Sequence, residues 1–97
     1  MILTTTHSIE GFKINDYLGI VTGVSSVIKT SFSFKTEKNN ALMSEVINKA
    51  KEEAFQNLKE HASNLKANAV VGIQLDMETE AGSYFFISVT GTAVNVL

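Results

Sequence analysis

The residues of this chain that could do chemistry fall into small, separated sets. The two histidines, His7 and His61, stand far apart in sequence. A metal site needs convergent ligands at suitable spacing, and nothing in the pattern brings the two rings together within one chain. Asp76 and Glu78 alternate along a strand-like stretch and Glu80 follows them. Alternate carboxylates on one strand face could hold a hard cation such as Ca²⁺ or Mg²⁺, although a solvated strand end explains them more cheaply. There is no cysteine, and the three methionines, Met1, Met43 and Met77, share no motif. A soft-metal site would call for sulfur or clustered imidazoles, so no metal ligand set is assigned.

Catalytic groups are no better gathered. Ser25, Ser26 and Ser31 could act as nucleophiles only with a histidine and an acid beside them. No nucleophile elbow or phosphate-binding loop is present, and Gly19-x-x-x-Gly23 lies inside a strand-like run, where it cannot cradle a phosphate. No enzyme and no cofactor is expected. Phe32 and Phe34 share a face around Ser33. They suit docking onto a neighbouring subunit or, as the alternative, stacking on a planar ligand. Thr90 and Thr92 offer a second candidate contact surface for a small molecule.

These groups must be carried by the elements that the hydrophobic pattern implies. From about Asn40 to Ala67, Ile47, Ala50, Ala54, Leu58, Ala62 and Leu65 recur on one stripe of a helix, while Glu45, Lys49, Glu52, Glu53, Gln56, Lys59 and Glu60 lie opposite. The alanines predict a helix axis lying close on a sheet. His61 borders the stripe and reads as a boundary residue packing by its ring. Asn39 or Asn40 could cap the start. At the other end Lys66 or Asn68 must take any left-handed position. Ile2 to Thr6 reads as a short N-terminal strand, and His7 to Gly11 as a turn. A second extended region runs from Tyr17 to Ile28, with a break near Asn15-Asp16. Lys29 to Asn39 reads as a loop, or as a strand extension that finds its partner in another subunit. Ala69 to Glu78 and Tyr84 to about Val96 make the last two strands, joined through Glu80-Ala81-Gly82-Ser83.

Strict alternation puts Ala69, Val71, Ile73, Leu75 and Met77 on one face of their strand, toward the helix. In the last strand Phe85, Ile87, Val89, Gly91 and Ala93 share a face. In the second region Leu18, Ile20, Val24 and Ile28 stand across from Tyr17, Val21 and Val27, and neither set is polar. One helix cannot cover both faces of such a sheet, and leftover apolar surface on a small domain meets a partner. Four glycines, Gly19, Gly23, Gly72 and Gly91, fall within strands. They predict bulges, or places where the helix backbone comes close.

The totals bound the function class. Ninety-seven residues make a single domain, 1–97. Net charge is −2, and all eight basic residues are lysines dispersed among acids, which disfavours a nucleic-acid surface. No long apolar run or basic leader is visible, so a cytoplasmic protein without membrane contact is expected.

Several segments, in order, resemble the YbjQ-like family of small bacterial and archaeal proteins, which carry a heavy-metal-binding label. They are Gly11, Tyr17-Leu18-Gly19-Ile20-Val21-Thr22-Gly23, the Ala50/Ala54/Leu58/Ala62 series, Ala67-Asn68-Ala69-Val70-Val71-Gly72-Ile73, and Ser88-Val89-Thr90-Gly91-Thr92-Ala93-Val94. The resemblance implies an α+β, two-layer β-α-β-β subunit whose long helix packs on an antiparallel sheet with the last strand central. It also implies rings, commonly pentamers, with no established biochemical role. Two departures stand out. The stretch from Val24 to Leu42 is shorter than the family's and lacks its Gly-Gly-Arg-Ser segment, and Lys66 stands where the family often has glycine. The combined expectation is a homo-oligomeric ring, pentameric as the resemblance implies, that serves as a binding or assembly module. The alternatives are a metal-binding protein with ligands completed across subunits, using Asp76 and Glu78 or the histidines, and a carrier of a planar small molecule.

Overall fold

The computed structural model describes residues 1–29, 37–80 and 84–97, with the side chains of 29, 37–43 and 80 left aside. The elements in chain order are β1 (Ile2–Leu3), β2 (Ile14–Val24), β3 (Ile28–Lys29), α1 (Glu37–Asn64), β4 (Ala69–Glu80) and β5 (Tyr84–Val96). The sheet runs β1-β4-β5-β2, and β3 continues along the β2 side of β5. The last strand is therefore central, as expected. β1 pairs with β4 in parallel while the other pairings are antiparallel, so the short N-terminal strand makes the sheet mixed. Among the described residues no helix is long and apolar enough to cross a membrane.

The helix begins earlier than expected, at Glu37, which places Asn39 and Asn40 inside α1 and not at its cap. Most of its stripe is as read: Ala50, Ala54, Leu58 and Ala62 are buried, with Val46, Ile47 and Phe55 packed around them, while Leu65, read on the same stripe, is exposed. The end is a two-bond left-handed cap. Lys66 N–H donates to the Ser63 carbonyl at 2.9 Å and Ala67 N–H to the Ala62 carbonyl at 3.0 Å. Lys66 holds the left-handed position itself, at φ 63°. Just beyond, the Asn68 side chain accepts from Val96 N–H at 2.8 Å and donates to Val96 O at 3.0 Å, pairing with both backbone groups of the neighbouring strand.

Helix and sheet touch most closely at Gly23. A Cβ at that position would overlap the Ala54 carbonyl oxygen and the Leu58 amide nitrogen, and would lie 2.9 Å from Leu58 Cα. The helix backbone thus rests directly on β2, and α1 lies over β2 and β5. The face of the sheet beneath it is built from Val21, Val70, Ile73, Phe85, Ile87, Val89 and Ala93.

Three register shifts correct the alternation read from sequence. In β4 one extra residue between Val71 and Gln74, with Gly72 at φ 63°, reverses the side-chain parity. Val70 therefore faces the helix, while Ala69 and Val71 turn to the other side. There they form a second small core with Val94 and Val96, closed by Ile2, Ile9 and Ile14. In β2, shifts between Ile14 and Asp16 and between Tyr17 and Gly19 act likewise. The first falls at the expected break. The second moves Ile20, opposite Thr92, to the face away from the helix, and brings Val21 under it. Leu75 and Met77 do lie on the helix side, opposite Val89 and Ile87, yet they remain 43% and 53% exposed because α1 does not extend over β4.

The lysine at the cap carries a strain that glycine would not. Lys66→Gly is expected to raise stability by about 1 kcal/mol, read as a higher urea midpoint at unchanged slope.

Candidate functional site

Among the described residues, a row of polar side chains from α1 lines the free edge of β2. An edge strand presents outward N–H and C=O groups that need partners. Here α1 supplies them. Ser26 N–H donates to Glu53 Oε1 at 3.0 Å, and the Ser26 hydroxyl donates to the same oxygen at 2.7 Å. Asn57 Nδ2 donates to the Val24 carbonyl at 2.8 Å. Thr22 N–H donates to His61 Nδ1 at 3.2 Å. Glu53, Asn57 and His61 are spaced by four along the helix, and Ser26, Val24 and Thr22 by two along the strand. Four helical residues advance about 6 Å and two strand residues about 6.6 Å, so the rows stay in step over this length. Sequence reading placed Glu53 on the solvent side and missed Asn57. The available signal was the four-residue spacing of hydrogen-bonding side chains beside the apolar stripe.

This arrangement gives Ser25, Ser26 and His61 hydrogen-bonding partners within the fold. Ser25 is buried; its hydroxyl accepts from Ile87 N–H at 2.9 Å and donates to the Ser26 carbonyl at 3.1 Å, while its own N–H donates to the Ile87 carbonyl at 2.8 Å. It replaces a strand residue where β2 has ended. Ser26 meets an acid, Glu53, and no histidine is bonded to either serine, so the serine–histidine–acid arrangement is not formed by these residues. Ser31 lies outside the described residues. His61 hydrogen-bonds to the backbone beyond packing by its ring. With Nδ1 accepting from the Thr22 N–H, a neutral ring carries its proton on Nε2.

The other candidates stay apart. His7 sits over the β4 bulge, where a Cβ on Gly72 would lie 3.2 Å from its Nδ1, with β4, β5 and β2 between it and His61. Asp76 and Glu78 do share a face, opposite Ser88 and Phe86, and both are exposed. Among the described residues no three His, Cys, Asp or Glu side chains are grouped to hold a metal ion. Met1 and Met77 are exposed, and the side chain of Met43 lies outside the described residues, as do Phe32 and Phe34. Thr90 and Thr92 lie on the face away from the helix, Thr90 between Thr22 and Gln74, and Thr92 between Ile20 and Val71. Open depressions lie along α1 at Lys51, Phe55 and Lys59, beside Met1 and Ser63, and at Thr4, Thr6 and Ser8. Neither Asp76, Glu78 nor either histidine lines any of the three.

Ser25→Ala would strand the Ile87 N–H in the core. It is expected to cost about 1–3 kcal/mol, measured by urea unfolding.

Comparison with known proteins agrees with this fold. A family model described as "Putative heavy-metal-binding" matches residues 1–97. A solved structure from Pediococcus pentosaceus, of unknown function and assigned to the DUF74 family, is similar with a TM-score of 0.62 and 21% identity. The similarity covers 100% of this chain and 96% of that one.

Proposed function

Because the chain belongs to the YbjQ-like family over residues 1–97, we propose that it is a ring-forming binding or assembly module, built from identical subunits and without a catalytic centre. Five is the subunit number that the family resemblance supplies. The observation that carries this reading is the apolar surface the fold leaves open. Tyr17, Ile20 and Val24 lie on the sheet face away from α1, opposite Val94, Thr92 and Ser88. Tyr17 and Ile20 are 71% and 72% exposed. The second small core covers only the Ala69–Val71 end of that face. Large apolar side chains left this exposed on one sheet face support a contact site there. The two sheet edges differ as well: β2 is finished by α1, whereas beyond Ile73 no described residue pairs with the free side of β4. Unlike edges favour a head-to-tail contact, the kind that closes into a ring.

Light scattering or native mass spectrometry at micromolar concentration tests the assembly. The expected result is a closed oligomer. Ile20→Lys is expected to dissociate it while leaving the far-ultraviolet circular dichroism of the subunit unchanged. A wild-type monomer would overturn the reading.

The family description favours a second reading, a metal-binding protein whose ligands are completed across subunits. Asp76 and Glu78, on one exposed face, are this chain's contribution. Their oxygens suit hard cations better than soft ones. Calorimetric titration of untagged protein with Ca²⁺, Zn²⁺ and Cu²⁺ is expected to show saturable binding that Asp76→Asn with Glu78→Gln abolishes. Binding that survives both substitutions would remove these carboxylates from the site.

A further inference from the structure

We infer that His61 is a proton-responsive latch on the free edge of β2. Its Nδ1 lies 3.2 Å from the amide nitrogen of Thr22 and 3.4 Å from the carbonyl oxygen of the same residue. A neutral imidazole with its proton on Nε2 accepts from the Thr22 N–H. An imidazolium carries protons on both nitrogens and can accept nothing. Protonation therefore ends the Thr22 N–H bond and leaves Nδ1–H to donate to the Thr22 carbonyl. The same side chain changes from acceptor to donor against one residue, and the outward N–H of the edge is released.

The surroundings make this a local event. Three and four residues away on α1, the neighbours of His61 are Asn57, Leu58, Asn64 and Leu65, all uncharged, while the charged Lys59 and Glu60 precede it on adjoining radii. From β2 it meets Thr22, flanked on the outer face by Ile20 and Val24, and from β5 the residues opposite are Thr90 and Thr92. The nearest carboxylates along the helix are Glu60, on the adjoining radius, and Glu53, two turns away and bonded to Ser26. Asn57, which does not titrate, still donates to Val24 in acid. What changes is the Thr22 end of the seal, where mild acid presents an unpaired donor to solvent or to an approaching strand. Histidine is the side chain suited to such a change near neutrality.

Amide hydrogen exchange resolved by NMR on the full chain tests the latch. Exchange at Thr22 is expressed as protection relative to the intrinsic rate, with the Ser25 amide, bonded to the Ile87 carbonyl, as internal reference. Protection at Thr22 is expected to fall about tenfold between about pH 8 and about pH 5. In His61→Gln the side-chain carbonyl can accept from Thr22 without titrating, so protection there is expected to be independent of pH. An equal fall in His61→Gln, or no fall in the wild type, would overturn the inference.

Discussion

The direct seating of the α1 backbone on Gly23 is the constraint on which the subunit depends. A glycine in mid-strand costs roughly 0.5–1 kcal/mol against alanine, and here it admits the Ala54 carbonyl and the Leu58 amide to the surface of the strand. With alanine at helix positions 50, 54 and 62, the axis can lie low along its contact line. That low approach brings Glu53, Asn57 and His61 within hydrogen-bonding reach of the β2 edge. A helix held higher by a larger side chain would leave the outward groups of Thr22, Val24 and Ser26 to water. Close packing and edge capping are two results of one geometry.

That geometry also determines what is left uncovered. Because α1 lies over β2 and β5, Leu75 and Met77 stay exposed beside it. The opposite face is closed only at one end, where Ile2, Ile9 and Ile14 cover Ala69, Val71, Val94 and Val96. Apolar surface therefore remains on both layers. The chemistry-bearing side chains remain dispersed, with His7 at the bulge, His61 at the far edge, and Asp76 and Glu78 on the outer face.

Much of this was legible in the residues, and the reasons for success and failure are physical. The helix showed itself because Ala50, Ala54, Leu58 and Ala62 repeat with its period, and burial follows that period. The strand glycines signalled close approach or bulging, and Gly23, Gly19 and Gly72 fulfil one or the other. The central place of β5 came from the family resemblance, since nearest-neighbour patterns do not order strands. The faces of Val70 and Val71, and the grouping of Ile20 with Leu18 against Tyr17, were misread because one inserted residue reverses side-chain parity across it, and alternation alone cannot tell which glycine marks the insertion. The edge stripe was missed for another reason. Glu53, Asn57 and His61 look like ordinary polar residues until the edge beneath them is known.

The parity reversal at Gly72 has a consequence for how this strand can vary. Residues before it and after it answer to different layers: Val71 to the small core under the N-terminal segment, Leu75 and Met77 to the helix side. Removing or adding a single residue downstream would exchange the apolar and acidic rows, sending Asp76 and Glu78 inward. Length changes within β4 are therefore tolerable only in pairs.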